Sequence, residues 1–524
     1  MTRKTKQLFF DCILVILASG SWVLSFPVAH WKGFVLGPFL FQAIAYFLVK
    51  NRSSRSVFVY FAIISFAVTV LGAQWLINVH RAALLLAVGY KMLIILVIPL
   101  GAQFFRKLKH SIVRTVYWAL LWIMYDSLNH AGSMSFPYLC FPYSFTTSWL
   151  GLEIASIGSM YALSFCTALS GAGILELYEA YKTNHHFTSF LALGCSALLP
   201  FFFLIPPHQA ISNNTLKNET AQSLNVALIQ PNYYSFTPKQ KDFEITFTLL
   251  SQLTQQAALQ RPDLIVWHET ALVPPIFWYA HNPADPAMQS FSNKVLAFMR
   301  SIDTPILTGI TWIDQNDTHR AQEYNGALLI NRGAPIDVYK KMQLVPFAEY
   351  FPYSKTFPGI TRWLIRLFGP LRAPGTVPTV FSLSGFRFAA PICFEDSYLS
   401  VFARFNNVAC YIVLTEDSWS QSIALKRQHL AMSQMRAAET GTWVIRASNS
   451  GITAAIDNKG RIVTMLEPDT HGILITSIPI QPSRKSYFWF LYIPWFALAG
   501  IIIIIVLILL YPGNTSRNAK NIYR

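Results

Sequence analysis

Residues 386–397 read F-R-F-A-A-P-I-C-F-E-D-S. An apolar, strand-like run delivers Cys393 and at once meets Glu395 and Asp396. Strand ends are where loops carry chemistry. A free thiol titrates near pH ~8.5, and neighbouring carboxylates push that value up. A nucleophilic Cys393 therefore needs a base to take its proton and a cation to offset the acids. Without them it is a small hydrophobe at a strand end, the commoner fate of a lone cysteine. A disulfide with Cys410 is a third reading, and it requires a fold that brings the two within about 6 Å. None of the six cysteines falls in a Cys-x-x-Cys spacing, so a zinc knuckle or thioredoxin motif is not expected.

Around Cys393, the block 207–486 alternates strand-like and helix-like segments. N-V-A-L-I-Q-P-N (225–232), D-L-I-V-W-H-E-T (263–270) and P-I-L-T-G-I-T-W-I (305–313) read as strands. Helical spacing runs over 238–260 and 286–302. A-L-L-I-N-R-G-A-P-I-D-V-Y-K (327–340) reads as a hairpin. Strands at 386–393, 410–416 and 443–457 follow, separated by helical patterns at 397–406 and 424–440. This alternation, with its antiparallel hairpins, predicts a layered α/β domain with a mixed sheet. No internal repeat stands out.

The flanks have another texture. The chain is 53% hydrophobic and only 13% charged, against roughly 25% charged in soluble domains. Apolar runs near 7–26, 33–50, 56–77, 82–104, 112–130, 152–177 and 187–206 each approach the ~20 residues a bilayer requires. An eighth, 487–511, contains I-I-I-I-I-V-L-I-L-L. The predicted plan is a seven-helix membrane domain (1–206), an α/β domain (207–486), a closing span (487–511) and a tail (512–524). The first run lacks a small-x-small cleavage site and more spans follow it, so it reads as a retained span and not a signal peptide.

The net charge of +16 does not imply nucleic acid, because the basic residues sit between apolar runs and form no patch with interleaved aromatics. They instead mark alternate loops: Arg3, Lys4 and Lys6; Lys50, Arg52 and Arg55; Arg106, Lys107, Lys109 and Arg114; Lys182; and Arg517, Lys520 and Arg524. The positive-inside rule puts these in the cytoplasm, both termini with them, and the block 207–486 on the outer side.

Candidates for the missing base and cation lie at other strand ends. Glu269 closes L-I-V-W-H-E-T, where half-burial would raise a carboxylate's pKa toward that of a useful base. The alternative is an N-cap or solvated turn residue. Lys341 follows V-Y-K and precedes M-Q-L-V-P-F-A-E-Y; near the thiol it would favour thiolate and neutralise an oxyanion. Otherwise it is a surface lysine in a hairpin turn, as Lys340 is expected to be. Glu349 either holds the lysine or an incoming amine, or is a solvated loop acid.

W-H-E-T, K-x-x-L-V-P-F-x-E and I-C-F-E together resemble the Glu-Lys-Cys triad of the carbon-nitrogen hydrolase (nitrilase) superfamily. The surrounding spans resemble its membrane branch, the apolipoprotein N-acyltransferases. The resemblance covers almost the whole chain and implies an αββα sandwich beside a multi-pass helical domain of about eight helices. Carried over, it makes Glu269 the general base, Lys341 the oxyanion stabiliser and Cys393 the nucleophile. It makes Glu349 and Glu395 supporting acids and the Phe394 N–H part of the oxyanion hole, and it sets Asn449 in a late loop near the site. The sequence departs from the family pattern at Phe394 (usually tyrosine), Gln343 (often histidine) and Glu416 (usually asparagine). These departures touch the rim more than the triad.

The resemblance further implies ping-pong acyl transfer, with no cofactor and no metal. The donor is a phospholipid, typically phosphatidylethanolamine, and the acceptor is the α-amino group of a diacylglyceryl apolipoprotein. The location it implies is the bacterial inner membrane, with the catalytic domain on the periplasmic side. Within 350–371, Trp363, Leu364, Leu367 and Phe368 would share one helical face, flanked by Arg362 and Arg366 that can snorkel. This reads as a lipid-facing arm, or as a helix packed on the core. L-V-P-P-I-F-W-Y (272–279) is a candidate acyl-chain lining. Rival readings are a membrane-anchored amidase, and a transporter or binding protein with an inactive domain. The spans hold few charges for an ion path, the nearest being Asp11, Asp126 and Glu153.

Overall fold

The computed structural model describes residues 2–27, 33–183, 194, 198–200, 202–203, 223–233, 240–282, 285–314, 322–368, 371–479 and 485–510. The expected span 187–206 lies largely outside these residues, as do the expected tail 512–524 and the 206/207 boundary.

The membrane part contains α1 (Arg3–Leu24), α2 (Gly37–Asn51), α3 (Ser54–Gly72), α4 (Leu76–Val79), α5 (Arg81–Ile94), α6 (Val97–Phe105), α7 (Ser111–Asn129) and α8 (Trp149–Thr183). Among the described residues five helical segments are long and apolar enough to cross a membrane: Arg3–Leu24, Ser54–Gly72, Arg81–Phe105, Trp149–Lys182 and Phe488–Leu510. Helices also occupy the expected second and fifth spans, but they do not meet that standard. The 15 residues of α2 reach only about 22 Å. The helix α7 carries Arg114, Tyr117, Asp126 and Asn129 among its apolar residues. Leu8, Ile16, Leu85, Leu93, Ile157, Ile502 and Leu510 are exposed on these helices, as lipid-facing side chains are.

One break interrupts α8. Gly158 and Ser159 leave helical geometry, with Ser159 at φ +62°. The freed groups are taken up by the α/β domain. Glu439 accepts from Ser159 Oγ at 2.5 Å and from the Met160 N–H at 2.9 Å. A carboxylate from one part thus caps a helix of the other.

The α/β domain adds α9 (Gln240–Ala258), α10 (Ile276–His281), α11 (Pro286–Ser301), α12 (Pro358–Phe368), α13 (Leu399–Phe402) and α14 (Ile423–Thr440), and α15 (Ile493–Leu510) closes the order. Its twelve strands are β1 (Ser223–Gln230), β2 (Leu264–Val266), β3 (Ile306–Ile313), β4 (Glu323–Asn331), β5 (Ala334–Lys340), β6 (Val380–Leu383), β7 (Phe386–Ala389), β8 (Cys410–Thr415), β9 (Trp443–Ser448), β10 (Thr453–Ile456), β11 (Ile462–Leu466) and β12 (Gly472–Pro479). They form two sheets, β12-β1-β2-β3-β4-β5 and β6-β7-β8-β9-β10-β11. Read in those orders, both follow the same series: antiparallel, parallel, parallel, antiparallel, antiparallel. The fold therefore repeats one sheet plan, although no sequence repeat is visible.

Strand alternation builds the layers. Val226, Leu228, Leu264, Val266, Leu307 and Leu329 join the core shared with the second sheet. Their neighbours Ala227, Ile229, Ile265, Trp267, Ile306 and Leu328 pack instead with Phe247, Leu250 and Val295 of the covering helices. The result is the expected αββα sandwich. Three predicted elements are shorter than their patterns, and one of them, the strand over 386–393, ends at Ala389. The strand over 263–270 pairs only at Leu264–Val266, and the helix over 397–406 is a single turn, Leu399–Phe402. The alternative reading of a disulfide does not hold: Cys393 and Cys410 are both buried free thiols.

Candidate active site

The strand β2 ends early because its neighbour β3 brings Gly309 against it. A Cβ on Gly309 would lie 2.4 Å from the His268 carbonyl oxygen and 2.6 Å from the Glu269 Cα. Trp267 and His268 still bond to β3, through the Trp267 N–H to the Leu307 carbonyl at 2.8 Å and the Gly309 N–H to the His268 carbonyl at 3.1 Å; a loop through Glu269 and Thr270 follows, and the Leu272 N–H then donates to the Gly309 carbonyl at 3.1 Å. Glu269 sits on this loop, buried with its carboxylate among donors. Asn325 Nδ2 of β4 reaches Oε1 at 2.8 Å, Lys341 Nζ reaches it at 3.1 Å, and the Glu416 N–H reaches Oε2 at 3.0 Å.

Lys341 follows β5 directly and is also buried, with Glu349 Oε1 at 3.0 Å on its second side. Asn325 donates to Glu349 too, at 2.8 Å, and the Val345 N–H holds the other oxygen of Glu349 at 2.7 Å. The neighbouring Lys340 turns outward to Asp314 at 2.6 Å, as expected of the surface lysine.

Cys393 stands just past β7 at φ +49°, a left-handed conformation that costs a non-glycine residue ~1–3 kcal/mol. Glu395 helps to hold that bend. One of its oxygens accepts the Ile392 N–H at 2.7 Å; the other accepts Tyr339 Oη and the Met342 and Gln343 N–H groups. Glu395 is thus a buried tie between the cysteine turn and the lysine loop. Glu269, Lys341 and Asp417 are the charged groups that act on the Cys393 thiol. The structure therefore brings Glu269, Lys341, Cys393 and Glu395 into one buried cluster, with the half-buried Glu349 at its edge. Phe394 is buried edge-on against Tyr398. Asn449 lies at the border, where its Oδ1 accepts the Tyr233 N–H at 3.1 Å and its Nδ2 donates to Glu416 at 3.0 Å.

The electrostatics follow from burial and pairing. Burial raises the Glu269 carboxyl above the usual range, and the Glu349 charge adds to that while Lys341 opposes it. Burial works against the Lys341 ammonium, but the Glu269 and Glu349 carboxylates more than offset it and hold its pKa above normal. Burial, helped by Glu269, keeps Cys393 well above the ordinary thiol range. In this resting arrangement the thiol carries its proton, and Glu269 is the nearby carboxylate that acts on it.

Behind the cysteine turn lies a second polar group that sequence reasoning missed. Asp396, Asp417, His429 and Arg446 form a fully buried square. Arg446 reaches Asp396 at 2.8 Å and Asp417 at 2.7 Å; His429 reaches Asp417 at 2.7 Å and Asp396 at 3.0 Å. His429 Nε2 also donates to the Cys393 carbonyl at 3.3 Å. Burial and Arg446 disfavour the imidazolium, yet the two aspartates raise His429 to about 9. Atoms of Cys393, Asp417 and His429 approach within 4.8 Å of one another, but the Arg446 guanidinium already fills the cationic place, so the geometry suits an ion square better than a metal. The clue was available: α14 carries Lys426, His429, Ser433 and Arg436 with no apolar stripe.

The roof comes from the membrane part. Ser135 Oγ lies 2.6 Å from Tyr398 Oη, Tyr143 Oη donates to the Ser397 carbonyl at 3.3 Å, and Trp75 packs on Trp419 with ring centroids 5.8 Å apart. The proposed arm leaves and returns beside the lysine loop, where the Arg372 N–H donates to the Glu349 carbonyl and the Gly375 N–H to the Lys341 carbonyl. Between these ties α12 exposes Trp363 at 59% and Ile360 at 57%. The side chains of Leu364, Leu367 and Phe368 lie outside the described residues. In 272–279, Leu272 and Ile276 are buried, and only Leu272–Pro274 reach a cleft.

Residues 225–485 match the carbon-nitrogen hydrolase family model, and 18–173 match that of the apolipoprotein N-acyltransferase N-terminal domain. Apolipoprotein N-acyltransferase 2 of Treponema denticola is 26% identical over 503 residues, 92% of each chain. The Pseudomonas aeruginosa apolipoprotein N-acyltransferase is 27% identical over 399 residues, 74% of this chain and 72% of that protein. Among solved structures, an amidase from Nesterenkonia aligns over 49% of this chain and 91% of its own, with 16% identity and a TM-score of 0.34.

Proposed function

We propose that this chain, which belongs to the apolipoprotein N-acyltransferase family of the carbon-nitrogen hydrolase superfamily, completes lipoproteins by moving a fatty acyl chain from a phospholipid to an amine. The observation that carries this is the convergence of Glu269, Lys341 and Cys393 in one buried cluster under a roof of membrane-part side chains.

Glu269 takes the Cys393 proton as the sulfur attacks the ester carbonyl of a phospholipid such as phosphatidylethanolamine. The tetrahedral oxyanion forms against the Lys341 ammonium and the Phe394 N–H. Collapse breaks the ester C–O bond; Glu269 returns its proton to the departing lysophospholipid oxygen, and a thioester remains on Cys393. The α-amine of the diacylglyceryl-cysteine acceptor then attacks that thioester and gives its proton to Glu269. The C–S bond breaks, the thiolate regains the proton, and an amide leaves. Glu349 and Asn325 act as positioning residues: Glu349 holds the Lys341 ammonium, and Asn325 donates to both Glu269 and Glu349.

Both substrates are bilayer lipids, which accounts for a catalytic domain tethered among spans. The basic-loop pattern supports placing that domain on the periplasmic face of the inner membrane. The arm 350–371 would dip into the outer leaflet, with Trp363 as its anchor; Trp363→Ser should slow turnover of bilayer lipid but not of detergent-dispersed lipid. Product analysis tests the reading as a whole. A phospholipid and a diacylglyceryl peptide should yield N-acylated peptide and lysophospholipid in equal amounts. Free fatty acid in place of the amide would instead support a membrane-anchored amidase or lipase.

A further inference from the structure

Next to the triad lies a surface cleft of about 290 Å³ that Glu269, Lys341 and Cys393 do not line. Its apolar lining includes Phe243, Leu272, Val273, Pro274, Phe291 and Trp419. His268, Glu416 and Asn449 contribute polar atoms. His268 and Thr270 line it while the intervening Glu269 does not, so the loop carrying the base separates cleft from triad.

His268 is only 2% exposed. Its Nδ1 lies 2.7 Å from the Glu269 carbonyl oxygen, which can only accept, so Nδ1 carries the hydrogen. Nε2 is then a buried lone pair, without a partner among the described residues. Such an atom is costly to leave unpaired and calls for a donor. Glu416 Oε2 is 3.4 Å from Nδ1 on the other side of the same ring and brings a negative charge to the lining, where the resembled family usually has a neutral asparagine. An acceptor nitrogen, a carboxylate and an apolar wall are complementary to an amphiphile with a small, N–H-bearing cation.

We propose that this cleft binds the primary ammonium group of a substrate lipid, with an N–H on His268 Nε2 and the charge against Glu416. The inference rests on the acyl-transfer reading and names a subsite for it. Two substrates carry that group: the ethanolamine headgroup of the acyl donor, and the α-ammonium of the diacylglyceryl-cysteine acceptor before it gives up a proton. A quaternary choline has the charge but no N–H. A glycerol headgroup has hydroxyl donors but no positive charge.

Binding is measured on the full-length Cys393→Ala protein, where no chemistry intervenes. The probes are short-chain phosphatidylethanolamine, phosphatidylcholine and phosphatidylglycerol of equal acyl length, and a diacylglyceryl-cysteine peptide with its amine free or acetylated. One charge-assisted hydrogen bond is worth roughly tenfold in affinity. If the headgroup fills the cleft, the ethanolamine lipid binds about tenfold more tightly than the other two, and adding Glu416→Gln levels the three. If the acceptor fills it, the free-amine peptide shows the tenfold advantage and the lipids do not differ. Equal binding within each set, already in the Cys393→Ala protein, overturns the proposal without a second substitution and leaves His268 Nε2 to water. A further Cys393-intact reaction separates the two levels: loss of acyl-enzyme refutes acyl transfer, whereas acylation with no preference refutes only the subsite.

Discussion

Arg446→Met removes the guanidinium from the buried square behind Cys393 and leaves Asp396 and Asp417 with His429 as their only cationic partner. The intact square sums to zero: two carboxylates, one guanidinium, one imidazolium. The variant buries a net charge of one, and all four side chains are fully or almost fully out of water. Breaking such a pair costs about 3–5 kcal/mol. At ~2–4 °C per kcal/mol for a large domain, the thermal midpoint should fall by about 10 °C. Tryptophan fluorescence of the detergent-solubilised protein measures this. Adding Asp396→Asn restores neutrality and should recover at least ~1 kcal/mol of the loss, a coupling that a purely volumetric defect would not show. The pH dependence carries a second signature. His429 rises from its ordinary 6.5 to about 9 in the fold. Its contribution is fully present below pH 6.5 and is lost as pH rises through 9. At ~1.4 kcal/mol for each pKa unit it amounts to about 3 kcal/mol. Arg446 opposes the imidazolium, so in Arg446→Met the alkaline loss should move to higher pH. A midpoint within 2 °C of wild type, with an unshifted alkaline limb, would refute the account of the square.

Glu269→Gln keeps acceptor and donor atoms near Lys341 and Asn325 but removes the base; acylation of Cys393 should slow by ~10²–10⁴-fold in a folded protein, measured by rapid-quench mass spectrometry. Gly309→Ala sets a Cβ against the His268–Thr270 backbone, so it should displace Glu269 and cut activity strongly while the thermal midpoint changes far less than in Arg446→Met. Glu439→Ala strips the cap from the broken helix α8 and leaves Arg436 without its partner at 2.8 Å. Unfolding should become easier by about 2–4 kcal/mol, read by the same fluorescence assay.

The proposed triad of Glu269, Lys341 and Cys393 was legible because each residue follows closely on a strand and sits in a short motif of fixed order. Five of the eight expected spans were legible from hydropathy among the described residues, and Glu416, Phe394 and Gln343 were visible as departures. Other features depend on distant parts of the chain meeting. Asn325 is one polar residue in a strand, and nothing local says that it bridges two glutamates. The ion square joins four residues spread over 396–446, and each alone reads as an ordinary polar side chain. The roof over the site comes from residues 75–143, read only as spans and a loop poor in charge. Lys91, buried in α5 and bonded to the Tyr138 carbonyl at 2.7 Å, did not register as an intramembrane charge, because one lysine hardly alters a hydropathy average. Strand β2 reads as too long because its apolar pattern continues through Trp267, past the last paired residue Val266 and into the loop that carries Glu269.

The central claim is a covalent acyl group on Cys393. Intact-mass spectrometry of the full-length protein incubated with phosphatidylethanolamine tests it directly, beside Cys393→Ala. The account predicts a gain of one fatty-acyl mass on wild type only, discharged when a diacylglyceryl-cysteine peptide is added and recovered as its N-acyl amide. An adduct that persists in Cys393→Ala, or free fatty acid accumulating with no adduct at all, would contradict it.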